Sequence, residues 1–177
     1  MDIFEQKEIL NSFEVLVDTR EQPTLQAKAR YESMCVPVRR ATLNYGDYTY
    51  QLQLKDGKLL LEDEAICGLT VIERKMSLDE LAMCFGKDRA RFEREFERAK
   101  TNGAKVWLLV ENATWENLIN GKYRSKMNPK AFYSSLVAWA IRYDLGIIFC
   151  KAETSGKIIK EILYRDAKER LEQWKDG

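Results

Sequence analysis

Histidine is missing from this 177-residue chain. That excludes Ser-His-Asp triads, histidine general bases and zinc sites with imidazole ligands. Catalysis, if there is any, must run on carboxylates, lysine, arginine or tyrosine. Cysteine is sparse: Cys35, Cys67, Cys84 and Cys150 are scattered, with no pair at metal-ligand spacing. They read as core fillers that an intracellular chain keeps reduced. No apolar run approaches the roughly 20 residues that a membrane span needs. The opening "MDIFEQKEIL" is acidic and short of apolar residues, unlike a secretory signal. An excess of one charge is lacking too. The net charge of +1 gives no global basic field that would announce nucleic acid.

What is present describes a globular chain. Hydrophobic residues make up 45% and charged residues 32%, which fits one domain with a real core and argues against disorder. Charge is unevenly spread. From Asn117 to Tyr143 there is no acid, while Lys122, Arg124, Lys126, Lys130 and Arg142 are basic. Glu62-Asp63-Glu64 is the opposite, and reads as a solvated acidic loop.

The pattern along the chain is strands first, then alternating helix and strand. Phe13 to Val17 reads as a strand that runs into charge, and Leu25 to Ser33 as a short helix. "CVPVRRATL" is extended, with Pro37 marking an edge or a bulge. "DYTYQLQL" and "KLLLED" flank Asp56-Gly57, a two-residue hairpin signal. "LTVIERK" is the next strand. Ser77 and Glu80 form a capping box for the helix after it. A second helical run follows from Asp88 to Lys100, closed by Gly103, and then "KVWLLVE" is a buried strand. Asn128-Pro129 starts a helix that Gly146 ends, "IIFC" is the last strand, and a helix runs from Thr154 to about Trp174. This order predicts one α/β domain, a mixed sheet flanked by helices.

Three of these strands end in acids: "VDTRE", "YGDY" and "IERK". Alternation points Glu73 and Lys75 to one side of their strand and Arg74 to the other. If the hairpin strand is a neighbour, Asp47 converges with Glu73, and Asp18 can supply a third carboxylate. Such a cluster suits Mg²⁺ or Mn²⁺ and phosphoryl-transfer chemistry, with Lys75 positioning water or steadying developing charge. Glu-x-Lys alone is as common as an exposed ion pair; the three charged strand ends together are what single it out.

These segments resemble, in order and spacing, the signature of the XPF-type (ERCC-type) nuclease domain. That family holds structure-selective DNA endonucleases of eukaryotes and archaea, with phage and bacterial relatives. Its signature is Gly-Asp, a variable gap, then Glu-Arg-Lys, three residues and Asp. The matching residues are Gly46-Asp47, Glu73-Arg74-Lys75 and Asp79, with Asp18, Arg20 and Glu21 upstream. The resemblance runs from about Val15 to Lys151. It implies the restriction-endonuclease-like, PD-(D/E)xK fold and metal-dependent DNA cleavage with Mg²⁺ or Mn²⁺. Asp18, Asp47 and Glu73 are then metal-site carboxylates, Lys75 the catalytic lysine and Glu21 a supporting acid. Arg20 and Arg74 contact DNA phosphate or hold the acids. The family's Gly-Arg has Ala90-Arg91 as its nearest counterpart, with Arg89 competing. The nine glycines contain no Gly-x-Gly, so the tandem helix-hairpin-helix modules of the cellular nucleases have no counterpart here. The expectation is a single nuclease domain over 1–177, with a core at about 13–151 and a C-terminal helix at 154–174.

The functional expectation is an endonuclease for branched, nicked or flapped DNA. The alternative is an inactive DNA-binding module acting with a partner; intact Asp47, Glu73 and Lys75 weigh against it. A protein-interaction domain leaves the charged strand ends unexplained. DNA contacts are expected from Arg20, Arg74, Arg89, Arg91, Lys122, Arg124, Lys126 and Lys130. Tyr123 among these lysines reads either as a stacking platform or as part of a mobile loop. Phe92, Phe96 and Ala99 are core, and Arg91, Arg94 and Arg98 form a stripe beside Glu93, Glu95 and Glu97. The last helix carries Ile158, Ile159, Ile162, Leu163 and Leu171, which either pack on the sheet or include an interface; a homodimer or a heterologous partner stays open. No membrane is expected. The location expected is the cytoplasm, the host cytoplasm for a phage protein or the nucleus for a eukaryotic one. Repair, recombination and host-DNA degradation are all compatible pathways.

Overall fold

The computed structural model describes residues 3–54, 57 and 70–173. The expected hairpin around Asp56, the acidic cluster at 62–64, Cys67 and Trp174 lie outside them. In chain order the elements are α1 (Ile3–Asn11), β1 (Glu14–Asp18), α2 (Leu25–Met34), β2 (Val38–Ala41), β3 (Tyr48–Gln51) and β4 (Val71–Lys75). Then come α3 (Leu78–Phe85), α4 (Arg89–Thr101), β5 (Val106–Glu111), α5 (Trp115–Ile119), α6 (Pro129–Tyr143), β6 (Gly146–Cys150) and α7 (Ala152–Gln173).

The strands form one sheet in the order β2-β1-β3-β4-β5-β6. β3 runs antiparallel to β1 and β4, while β1–β2, β4–β5 and β5–β6 are parallel. Period-two alternation sorts the side chains onto two cores. Val71, Leu108 and Val110 pack under α3, α4 and α6, with Phe85, Phe92, Phe96 and Trp139. Val15, Val17, Tyr48, Ile72 and Leu109 pack on the other face, with Met34 of α2 and Ile159, Leu163 and Leu171 of α7. The apolar stripe of α7 therefore covers the sheet, and Ile158 and Ile162 flank it.

Local chemistry sets several boundaries. Ser77 Oγ accepts from Glu80 N–H at 3.2 Å, and Glu80 reaches back to the N–H of Met76 at 2.7 Å, one residue beyond the box expected. Asn128 caps α6 through Ala131 N–H, with Pro129 in its first turn. Asp144, in the left-handed region at φ 51°, ends that helix, rather than Gly146. Gly146 opens β6 because a Cβ there would come within 2.2 Å of the Trp107 ring. Cys84 fills core as expected, but Cys35 is exposed as the left-handed C-cap of α2, and Cys150 is half-buried. Among the described residues no helix is long and apolar enough to cross a membrane.

Candidate active site

The C-terminal ends of β1, β4 and β5 meet at one edge of the sheet. They line a cleft of about 570 Å³ that includes Arg20, Glu21, Asp47, Arg74, Lys75, Glu80 and Glu111. Asp47 lies between β1 and β4. Its N–H donates to Ile72 O at 2.8 Å, its carbonyl accepts from Asp18 N–H at 2.9 Å, and its carboxylate accepts from Arg74 N–H at 2.7 Å. Gly46 makes this seat possible. Its φ is +70°, and a Cβ there would sit 3.0 Å from Val71 Cβ.

On the α3/α4 side of β4, Glu73 and Lys75 form a buried ion pair, 6% and 9% exposed. Lys75 Nζ also lies 5.2 Å from the centre of the Phe92 ring. Burial works against the Lys75 ammonium, but Glu73 and Asp47 outweigh it and hold the amine protonated. One ammonium does not neutralise two acids. Burial pushes the Asp47 carboxyl well above the usual aspartate range, and the Glu73 charge adds to it; Lys75 and Arg74 N–H offset only part. Glu73 is raised by burial as well, against Lys75, with Glu95 and Glu80 adding repulsion. Two carboxylates beside one ammonium thus favour the uptake of a proton or a cation.

Arg74 leaves β4 on the opposite face, as strand alternation requires. It enters a closed, partly buried ring at the cleft. Arg74 Nε meets Glu21 at 3.0 Å and Nη1 meets Glu111 at 3.0 Å; Arg30 Nε donates to Glu111 at 3.0 Å. Arg30 Nη1 donates to Tyr48 Oη at 3.2 Å, and Tyr48 donates on to Glu21 at 3.2 Å. Ser155, from the first turns of α7, also accepts from Arg30 at 3.2 Å. Arg74 therefore holds acids in place. Arg30 and Glu111 escape a reading of the sequence because 81 residues separate them.

Asp18, expected as the third metal carboxylate, spends both oxygens elsewhere. Oδ1 accepts from Arg20 Nε and N–H at 2.7 Å each, and Oδ2 accepts from Arg20 Nη2 at 3.1 Å and Leu43 N–H at 2.9 Å. Burial raises its carboxyl, but these contacts outweigh it and hold it below the usual range. Arg20 is itself 62% exposed along its side chain. Among the described residues no group of three or more acids or cysteines is arranged to hold a metal ion. The donor set fits a hard divalent cation as a two-carboxylate site, Asp47 and Glu73. That suits an ion which completes its shell with water and substrate phosphate.

The other basic residues divide by position. Arg89 and Arg91 are exposed on α4, and Arg89 stacks 5.3 Å over the Trp139 ring. Lys122, Arg124, Lys126 and Lys130 are all exposed, alternating with half-buried Tyr123, Ser125 and Met127. The Tyr123 hydroxyl donates to Met127 O at 2.9 Å and its ring packs edge-on against Phe132. The segment does not hang free, because Asp79 accepts hydrogen bonds from it. Glu95 of α4 is half-buried and near enough to Glu73 and Arg20 to act on both electrostatically.

No curated protein matches the chain. Among solved structures, XPF from Aeropyrum pernix is similar, 20% identical with a TM-score of 0.58, covering 93% of this chain and 63% of that one. XPF from the same organism in complex with DNA is 22% identical, also with a TM-score of 0.58, covering 89% of this chain and 66% of that one. The chain thus spans just under two thirds of the length of these structures. The likeness agrees with the mixed sheet and its two helical layers: the fold is restriction-endonuclease-like. Residues 17–162 match the family model of the ERCC4 domain, and the chain belongs to the ERCC4 domain family.

Proposed function

We propose that this chain is a divalent-metal-dependent DNA endonuclease, a single nuclease domain acting on branched, nicked or flapped DNA. The observation that carries the reading is the buried Glu73–Lys75 ion pair on β4 beside Asp47, which the same strand holds through Arg74 N–H, with Asp47 and Lys75 lining the cleft. Membership of the ERCC4 domain family and the DNA complex of a structural neighbour support it.

In this reading Asp47 and Glu73 hold Mg²⁺ or Mn²⁺. When bound, the ion supplies Lewis-acid polarisation of a phosphate oxygen and a more acidic water. Lys75, paired with Glu73, positions the attacking water or steadies negative charge developing on the phosphate. Glu21 and Arg74 keep the ends of β1 and β4 in register. Asp18 stays a proposed third ligand, available where a substrate phosphate draws the exposed Arg20 guanidinium off it. Arg89 and Arg91 on α4 and the cations of the 122–130 segment extend the phosphate contacts. A DNA substrate puts the activity in the cytoplasm, or in the nucleus of a eukaryote, and a second copy or a different partner would enlarge the footprint.

The test is cleavage of nicked, flapped and branched DNA with Mn²⁺ or Mg²⁺, comparing the wild-type chain with Glu73→Gln. The expected result is metal-dependent cleavage that Glu73→Gln abolishes while DNA binding persists. Binding without cleavage by the wild-type chain would instead establish an inactive DNA-binding module. Neither binding nor cleavage removes the nucleic-acid reading altogether.

A further inference from the structure

Asp79 is exposed enough to be solvated, yet its carboxylate is directed at the protein. Its Oδ1 accepts from the backbone N–H of Arg124 at 2.8 Å and of Ser125 at 2.7 Å, and Oδ2 accepts from Arg124 Nε at 3.2 Å. The Arg124 side chain is 92% exposed, so its ion pair contributes little and the two backbone bonds do the anchoring. Arg124 gives only Nε to this contact. Among the described residues its two Nη groups have no acceptor, and they face solvent.

The rest of the segment is pinned as well. Lys122 N–H donates to Asn117 O at 2.8 Å, Ser125 Oγ accepts from Met127 N–H at 3.2 Å, and Tyr123 is tied to Met127 O. With Tyr123, Ser125 and Met127 turned inward, every cation between them is turned out. Asp79 stands in the first turn of α3, four residues after Lys75 and next to Glu80, which lines the cleft. The anchor therefore ties an outward-facing row of cations to the helix that follows the Glu73–Lys75 strand directly.

We propose that Asp79 is a positioning residue that latches the 122–127 segment beside the cleft, so that Lys122, Arg124 and Lys126 meet successive phosphates of the substrate without first being ordered. This rests on the nucleic-acid reading above. Preorganisation removes the entropy cost of immobilising a loop on binding. The proposal makes a prediction that charge alone reverses. Deleting an acid beside a phosphate path raises affinity on electrostatic grounds, whereas deleting the latch lowers it.

The experiment uses Asp79→Ala and Asp79→Asn in the full chain. Asparagine keeps an oxygen for the two backbone N–H groups and drops the charge. Amide hydrogen exchange reads the latch directly: exchange at Arg124 and Ser125 should speed at least about tenfold in Asp79→Ala, as local opening becomes easier, and much less in Asp79→Asn. Binding of a short fluorescent duplex, read by anisotropy, should weaken about three- to tenfold in Asp79→Ala, the cost of ordering one or two side chains on binding. Asp79→Asn should bind as well as the wild-type chain or better. Unchanged exchange in Asp79→Ala overturns the latch. Faster exchange with DNA affinity unmoved or raised overturns the positioning role alone. A wild-type chain that binds no DNA overturns the nucleic-acid reading, and the positioning role falls with it.

Discussion

The Asp47 carboxylate accepts a hydrogen bond from the backbone N–H of Arg74 at 2.7 Å. Asp47 is thereby fixed by the same strand that carries Glu73 and Lys75, and two carboxylates are held together under a single ammonium. That arrangement suits a cation and costs stability without one.

Asp47→Asn should therefore stabilise the protein while abolishing metal-dependent cleavage. Asparagine can still accept from Arg74 N–H, and the charge is gone. The folded-state pKa of Asp47 is raised by burial and by Glu73. Between the unfolded value and that raised value the native state binds the extra proton, so wild-type stability falls as pH rises through the window. The variant lacks this loss. Thermal melts should coincide near pH 3 and separate as pH rises to 7, by about 2–4 °C for each kcal/mol in a domain of this size. Melts that stay together throughout would mean that Asp47 is not strained by its surroundings.

Metal should raise the melting temperature of the wild-type chain. A ligand bound only by the native state adds about 2.7 kcal/mol at a hundred times its dissociation constant. Titration with Mn²⁺ or Mg²⁺ should shift the wild-type melt and leave Asp47→Asn and Glu73→Gln nearly unmoved. An equal shift in all three places the ion elsewhere.

The two faces of β4 should answer differently to mutation. Lys75→Met should lower turnover about 10²–10³-fold, the usual effect of removing one electrostatic stabiliser of a transition state. Arg74→Met leaves Glu21 and Glu111 short of a buried partner and should cost about 3–5 kcal/mol of stability. Glu111→Leu should cost a similar amount. The double variant Arg30→Met/Glu111→Leu removes both ends of one buried pair, and by the same reasoning should cost less than the two single variants added. Urea denaturation checks this; strict additivity would mean that Arg30 and Glu111 do not act as a unit.

Much of this site is legible in the sequence because its determinants are local. Alternation along "VIERK" assigns Glu73 and Lys75 to one face and Arg74 to the other, and caps at Ser77 and Asn128 mark helix starts. What pairs across the fold is not legible. Arg30 sits in a polar helical run, "LQAKARYESM", and reads as solvated until α7 covers it through Ser155. Glu95 shares its run with Glu93 and Glu97; only the placement of α4 over β4 brings its charge near enough to act on Glu73. The short helix α5 rests on a single cap, Thr114 on Asn117 N–H at 3.0 Å, too brief a pattern to stand out. α1 is missed because its nine residues bury Ile9 alone.

The grip on DNA should show in its salt dependence. With a net charge of +1, the chain has no global field to lend affinity, so binding must come from local cations. Each phosphate neutralised contributes about 0.9 to the slope of log affinity against log salt. Lys122, Arg124 and Lys126 are exposed on an anchored segment, and Lys130, Arg89, Arg91 and Arg20 are the remaining candidates. Few contacts imply a shallow slope, about three to five phosphates by that rule, and weak binding by a single copy. Replacing Lys122, Arg124 and Lys126 with alanine removes up to three contacts, so the slope should fall by up to about 2.7. Their side chains carry no core, so the melting temperature should hold. Affinity and slope should decline together in a titration across salt concentrations. If the triple variant binds with wild-type slope, the phosphates are held elsewhere, and the exposed α4 arginines and Arg20 become the residues to replace next.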